Sequence, residues 1–478
     1  MAVISSDEVQ SIIERVRQRL DVKDGAPRAN VQTPKTTRQG IFGTVDEAIA
    51  AAWRAFHSSR SMGLELRKGV VEAIRESMRL HTKELSQMAH EETGLGRYED
   101  KVLKNTLVIE KTPGPEDLEP QTWTGDNGLT VTEYAPYGVV GAITPTTNPT
   151  ATIINNTIAV ISAGNSVVFN VHPNAKNVSA YTIHLINEAI VSAGGPADLV
   201  TAASEPTIAS AQQLMNHPKV RILVVTGGPG VVKEAQKTGK RCILAGPGNP
   251  PVVVDETADL DLAGREIVRG GSFDNNIICI DEKVVFAVDG IYDQLLRSMA
   301  SHGAYLLQEH QMRRLERVIF KKMGAPFESA KLNPEWIGKN AGTILSQITQ
   351  HSERDIRLLV ADVPIEHSLV WTEQMMPVMP VVRVKNVDAA IDAAIRAEKG
   401  NGHTASIFTS DVGAITRMAR DIDVSIFVAN AANLAGLGDG GEGFTSFSIA
   451  SPTGEGLTRP RSFSRLRRMT VAGGLRIV

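Results

Sequence analysis

The chain has 478 residues, enough for two or three domains with an ample core. Its 50 basic and 53 acidic residues leave a net charge of −3, which argues against nucleic acid or a membrane surface as the main partner. Two cysteines argue against a disulfide framework and fit a reducing compartment, no apolar run is long enough to span a bilayer, and the N-terminus shows no secretory signal core.

Residues Ser5 to Leu20 are predicted to be helical. Val9, Ile12, Ile13, Val16 and Leu20 make one apolar stripe, and Ser5 with Glu8 forms a capping-box pattern. The polar segment from Asp21 to Gln39, with Pro27 and Pro34, reads as a linker. A short amphipathic helix tethered in this way is either an ordinary first helix or a docking tag for another protein. Thr44 with Glu47 starts a second helix that keeps its spacing to Phe56. Leu64 to Glu92 continues helical and stops at Thr93-Gly94, and Leu129 to Tyr134 alternates like a strand.

From Tyr137 the pattern becomes strand–helix–strand. Val139 to Ile143, Ser166 to Val171, Leu199 to Ala202 and Val220 to Val225 are short apolar runs. Helical segments at Ile153 to Ile161 and Val178 to Ala193 lie between them. Continuous apolar strands of this kind predict an α/β fold with a parallel sheet covered on both faces. A second series of strands and helices runs from Leu244 to Val428.

Two segments carry chemistry. Strand Arg221–Val225 runs into Thr226-Gly227-Gly228-Pro229-Gly230 and then a helix from Val231. Backbone amides there can face a phosphate or ribose. The pattern is not G-x-G-x-x-G, and as a bare motif it also suits a plain strand-to-helix turn. The second is Gly270-Gly271-Ser272-Phe273-Asp274-Asn275-Asn276-Ile277-Ile278-Cys279, just before the apolar run Val284 to Ala287. A thiol in such a turn can be a nucleophile, or simply a small buried residue. Cys242, in a strand pattern, reads as core.

Four segments then line up in order. They are Ile143-Thr144-Pro145-Thr146-Thr147-Asn148-Pro149-Thr150, Val225 to Gly230, Gly246-Pro247-Gly248-Asn249-Pro250 through Asp259, and Ser272 to Cys279. With Glu373-Gln374-Met375-Met376-Pro377, Gly402-His403-Thr404-Ala405-Ser406 and the tail from Gly441 to Gly456, they resemble the aldehyde dehydrogenase superfamily over roughly residues 40 to 478. Within it they resemble the CoA-acylating branch, and most of all the propionaldehyde dehydrogenases of bacterial microcompartments.

The resemblance implies a Rossmann-like NAD domain (40–118 and 138–246), an α/β catalytic domain (247–454) and a small β oligomerisation flap (119–137 and 455–478). It makes residues 1–20 a candidate encapsulation tag that binds a microcompartment shell or cargo protein. The location would then be cytoplasmic, inside such a compartment, and the enzyme a homodimer or homotetramer. The implied reaction takes a short-chain aldehyde, propionaldehyde favoured, with NAD and coenzyme A to acyl-CoA through a Cys279 thioester.

Asn148 matches the oxyanion-stabilising asparagine, although Asn148-Pro149 is also an ideal N-cap and N1 pair. Glu373 matches the acid on the nicotinamide ribose; without the family it would read as a solvated loop acid. Thr144, Pro145, Thr146, His172, Pro173, Thr226, Gly227, Gly228, Val231 and Gly246 match cofactor-binding positions. His403 could help deprotonate CoA, or be structural. No metal site is implied.

Two departures matter. Hydrolytic members carry a water-activating glutamate where this chain has Ala245, which favours transfer to a thiol over hydrolysis. The lysine and glutamate that usually meet the adenosine ribose appear as Asn170 and Pro173, so nothing there repels a 2′-phosphate and NADP stays open. The arginines Arg459, Arg461, Arg465, Arg467 and Arg468 could attract CoA phosphates or form a solvated edge or subunit contact. The alternatives carried forward are a hydrolytic or phosphorylating aldehyde dehydrogenase and an inactive scaffold of the same fold.

Overall fold

The computed structural model describes residues 38–349 and 356–478. The predicted helix at 1–20 and the linker as far as residue 37 lie outside them. Among the described residues no helix is long and apolar enough to cross a membrane.

The first lobe is built on a six-stranded parallel sheet. Its order is Ile41–Phe42, Val200–Ala203, Ser166–Asn170, Val139–Ile143, Val220–Thr226, Arg241–Ala245. The central strands are apolar on both faces because helices cover both, as the continuous runs predicted. The chain winds outward from Val139–Ile143 through two strands, then returns to its other side with Val220–Thr226. That reversal leaves a crevice at the carboxyl ends of Val139–Ile143 and Val220–Thr226, where open α/β sheets bind ligands.

The helices around this sheet obey their local signals. Val45–Ser59 starts in a capping box: Thr44 Oγ1 accepts from Glu47 N–H at 3.2 Å, and Glu47 Oε2 accepts from Thr44 N–H at 2.9 Å. Leu64–Thr93 ends at Gly94, whose φ of 65° needs a residue without a Cβ. Pro149 opens Pro149–Ser162 at N1. A helix at Tyr98–Lys111 was not predicted.

The second lobe holds a seven-stranded parallel sheet, in the order Ala304–Leu306, Leu358–Asp362, Val378–Val384, Val284–Val288, Pro251–Val254, Thr404–Phe408, Ile426–Ala429. Gln121–Gly125, Gly128–Pro136 and Ser464–Ala472 form a separate antiparallel sheet. The turn between Pro460 and Phe463 does not belong to that flap. Phe463 is buried in the first lobe's core, and Arg459 and Arg461 pair with Asp117 at 3.2 and 3.1 Å. Arg465 and Arg468 lie on the exposed flap strand, where Arg468 stacks on Trp123. Cys242 is only half-buried, because Arg241–Ala245 is an edge strand.

The loop from Phe273 to Ile280 belongs to the second lobe in sequence but rests on the first. Phe273, Ile278 and Ile280 are buried in the same apolar cluster as Val140, Ile153 and Phe169. Packing of this kind brings Cys279 to the crevice.

Candidate functional site

The sheet's carboxyl edge gathers the residues expected to hold the dinucleotide. Thr144, Pro145 and Thr146 follow Val139–Ile143, His172 and Pro173 follow Ser166–Asn170, and Thr226, Gly227 and Gly228 follow Val220–Thr226. Gly228 is the N-cap of the helix Pro229–Lys237, with no side chain on its first-turn amides. A Cβ built on Gly227, Gly228 or Gly230 would meet nothing within 4 Å, so the turn borders open space rather than packed protein. The hydroxyls of Thr144 and Thr146 are buried without a hydrogen-bond partner. Orphaned donors beside an open glycine turn fit a phosphate- and ribose-bearing ligand.

Some of the expected contacts have other duties. His172 Nδ1 accepts from Asn174 N–H at 3.1 Å and caps a short turn, and Pro173 is exposed beside it. Thr226 Oγ1 is 2.9 Å from Ser448 Oγ. Val231 packs under the sheet, and Gly246 lies against Pro452.

The nucleophile loop is the opposite kind of structure, packed full and held by many of its own side chains. Asp274, Asn275 and Asn276 are consecutive left-handed residues with φ of 44°, 57° and 64°. Asp and Asn tolerate that region better than other side chains, and a strained run persists only where its surroundings hold it. Here they do. Asn275 Nδ2 donates to Gly338 O at 2.9 Å and Asn340 Oδ1 at 2.8 Å, and Asn276 Nδ2 donates to Gly271 O and Glu282 O, each at 2.8 Å. Lys283, fully buried, donates to Asn276 O at 2.7 Å and Ile278 O at 3.2 Å. Asp281 Oδ2 accepts from Ile278 N–H at 3.0 Å. Cys279 as a residue is partly exposed, the one opening in a turn whose other residues from Phe273 to Ile280 are buried.

Burial pushes the Cys279 thiol up to about 12; Glu373 and Asp281 push the same way, and Lys283 opposes them. The thiol is therefore protonated at neutral pH, and forming the thiolate needs a proton acceptor. Glu373 is partly buried and engaged with the backbone. It accepts from Gly248 N–H at 3.4 Å, and burial raises its pKa against the pull of Lys283. His403 is buried. Its N–H donates to Glu398 Oε1 at 2.9 Å, and its Nδ1 lies 2.9 Å from Thr404 Oγ1. Its Nε2 has no partner, and burial, with Lys283, lowers its pKa to about 4. Gly248 joins these parts: a Cβ there would fall 2.7 Å from Cys279 O and 3.0 Å from His403 Cγ.

Asn148 occupies the N-cap position yet makes no capping hydrogen bond. Its Oδ1 accepts from Lys104 Nζ at 2.7 Å, and its Nδ2 donates to Thr147 Oγ1 at 3.2 Å. Lys104 also donates to Asp274, as does Lys101 at 3.1 Å. Burial would raise the Asp274 carboxyl, but the two lysines outweigh it and hold it below the usual range. Asp100 accepts from Asp274 N–H at 2.9 Å and from Arg357 at 2.7 Å. These buried charges escaped the sequence reading. Ala245 closes its strand with a methyl group, so that position offers no carboxylate.

A doubly wound sheet with a nucleotide-ready edge, facing a buried cysteine turn, defines a dinucleotide-dependent enzyme with a thiol at its centre. The family model for the aldehyde dehydrogenase family matches residues 20–323 and 356–444, and the chain belongs to that family. It is 46% identical to the acetaldehyde dehydrogenase (acetylating) EutE of Salmonella typhimurium, over 99% of this chain and 100% of the relative. It is 42% identical to the propanal dehydrogenase (CoA-propanoylating) of Citrobacter freundii, over 92% of this chain and 94% of that one. Among solved structures, propionaldehyde dehydrogenase from Rhodopseudomonas palustris, with bound CoA and an acylated cysteine, superposes with a TM-score of 0.89. It shares 45% identity and covers 92% of this chain and 99% of its own.

Proposed function

We propose that the protein converts a short-chain aldehyde, NAD+ and CoA into acyl-CoA, NADH and a proton, with propanal favoured, through a thioester on Cys279. The observation that carries this reading is Cys279 and His403 meeting across Gly248, with His403 Nε2 free and no acid at Ala245 to activate water. The acetylating and CoA-propanoylating names of its relatives point the same way.

The chemistry follows from the residues. The Cys279 thiol gives its proton to the free Nε2 of His403, which passes it to solvent as the one proton the reaction releases. Sγ adds to the carbonyl carbon, and the carbonyl oxygen takes up negative charge. Asn148 Nδ2 and the Cys279 amide donate to that oxygen; losing one such donor typically costs about 10²–10³ in rate. Glu373 with Thr144, Thr146 and the Gly227–Gly228 turn would hold the dinucleotide at the sheet edge, where it would supply the hydride acceptor. Loss of hydride restores the carbonyl as a thioester. His403 is neutral at pH 7, so its free Nε2 can accept the proton of the incoming CoA thiol. That thiol attacks the acyl carbon, and Cys279 leaves as thiolate. With Ala245 in the acid's place, water has no base in this position.

The flap supports self-association. Trp123 and Leu466 are 50% and 63% exposed on the same face of a three-stranded sheet, a surface suited to a second copy of the chain in a homodimer or homotetramer. Residues 1–20 keep their reading as an encapsulation tag, which one relative's source favours. The propionaldehyde dehydrogenase of the Clostridium phytofermentans fucose-utilisation microcompartment is 43% identical, with a TM-score of 0.89 over 92% of this chain and 100% of its own. The enzyme would then sit inside such a compartment.

Mixing the enzyme with propanal and NAD+ tests the proposal. Without CoA we expect a burst of about one NADH per active site and a thioester mass adduct on Cys279; with CoA we expect steady NADH release. Steady release without any thiol would favour the hydrolytic alternative instead.

A further inference from the structure

Lys104 sits on the helix Tyr98–Lys111 and is buried, an uncommon place for an ammonium. It has three protons to donate and three acceptors in reach: Asn148 Oδ1 at 2.7 Å, Thr147 O at 3.4 Å and Asp274 Oδ2. The first two belong to the turn after Val139–Ile143 in the first lobe. The third begins the left-handed run that leads to Cys279 in the second lobe. One cation therefore joins the loop of the nucleophile to the loop of the oxyanion donor.

The contact with Asn148 has a direction. An amide has an oxygen on one side and an NH2 on the other, and a cation tolerates only the oxygen. With Oδ1 fixed on Lys104, Nδ2 must turn the other way. One of its protons goes to Thr147 Oγ1 at 3.2 Å, and the second stays available. A rotated amide would set NH2 against an ammonium whose side chain is only 2% exposed. Asp274 holds Lys104 from the far side, and is itself pinned by Arg97 N–H at 2.7 Å.

We propose that Lys104 is a positioning residue: it fixes the Asn148 amide with its N–H toward the substrate oxygen and sets the spacing between that donor and the Cys279 turn. The assignment rests on the thioester reading above. It differs from a purely structural role for a buried ion pair with Asp274, because its effect on rate must pass through Asn148.

A double-mutant cycle separates the two. The readout is the single-turnover NADH burst with propanal and saturating NAD+, in the wild type, Lys104→Met, Asn148→Ala and the double variant. We expect Lys104→Met to slow the burst about 10- to 100-fold and Asn148→Ala about 10²–10³-fold, while the double variant stays within about 3-fold of Asn148→Ala. Alkylation of Cys279 by iodoacetamide without dinucleotide should change less than about 3-fold in Lys104→Met, since the thiol itself keeps its surroundings.

If Lys104→Met does not fold, Lys104→Arg replaces it in the same cycle, keeping the charge toward Asp274 while displacing the donor on Asn148. Equal slowing with and without Asn148, or a Lys104 variant that bursts at the wild-type rate, overturns the assignment. A wild-type enzyme with no burst would sink the thioester reading itself, a result distinct from either.

Discussion

The two loops that face each other across the crevice are built on opposite terms. At the first sheet's edge, hydroxyls are left without partners and glycines border empty space. In the Cys279 turn, amides from Asn275 and Asn276, an ammonium from Lys283 and a carboxylate from Asp281 tie the backbone down at Gly271, Asn276, Ile278, Glu282 and Gly338 before any substrate arrives. The difference teaches which contacts belong to the ligand. A nucleotide must enter and leave, so its partners wait for it. A nucleophile must be aimed to within fractions of an ångström, so its support is permanent.

The hardest blow to this contrast is removal of the sulfur. Cys279→Ala should reduce turnover by at least about 10⁴-fold, because no other side chain here can form the thioester. The turn is held by hydrogen bonds that do not involve Sγ, so the melting temperature should move by no more than a few degrees. NADH production and thermal melts on the same preparation check both halves. Residual turnover near the wild type would remove Cys279 from the chemistry.

Gly248 tests the contact between the filled loop and the histidine. A methyl group there has nowhere to go, with Cys279 O at 2.7 Å and His403 Cγ at 3.0 Å. Gly248→Ala should push the two apart by a few tenths of an ångström or more and lower kcat about 10- to 100-fold, since small misplacements of reacting groups are costly. KM for NAD+ should move much less if the dinucleotide is held chiefly by the sheet edge. A fall in NAD+ affinity with kcat unchanged would mean that Gly248 and Glu373 serve the nucleotide alone.

Much of the open loop was legible in the sequence and much of the filled one was not. Val139–Ile143 and Val220–Thr226 announced themselves as apolar runs ending in Thr-Pro and Gly-Gly turns, and the Thr44–Glu47 box and Gly94 stop fell where they were read. Cys279, Asn148, Glu373 and His403 stood out through resemblance, and the fold brings them to one region. The helix Tyr98–Lys111 was missed because it runs against hydrophobic patterning: Asp100, Lys101 and Lys104 are buried while Leu103 is exposed. Charge inside and leucine outside is the reverse of an amphipathic surface helix. The same holds for Asp281, Glu282 and Lys283, which look like a solvated cluster in the sequence yet are fully buried. Their reason is three-dimensional, the need to hold a left-handed turn, and no local periodicity reports it. Asp274-Asn275-Asn276 was the available hint, as the residue types best suited to positive φ.

That buried cluster should leave a mark on stability. Glu282 Oε1 accepts from Asn433 N–H at 2.8 Å, Oε2 has no partner, and burial raises the carboxyl from 4.5 to about 7. Its folded pKa lies above its unfolded one, so between pH 4.5 and 7 the folded protein binds more protons. Stability from this group is present below pH 4.5 and is lost as pH rises through 7. Over pH 5 to 7 the loss amounts to about 2 kcal/mol. His403, with its pKa lowered to about 4, works the other way: it makes the fold more stable as pH climbs from 4 to 6.5. The two trends partly cancel in the wild type, so the informative quantity is the difference between wild type and Glu282→Gln. Gln cannot ionise and keeps a carbonyl for the Asn433 amide. Denaturant unfolding at pH 5, 6, 7 and 8 should show the variant gaining on the wild type by about 2 kcal/mol from the lowest to the highest pH. Parallel profiles would mean that Glu282 meets solvent or a cation on folding, and that the turn behind Cys279 is less sealed than its hydrogen bonds indicate.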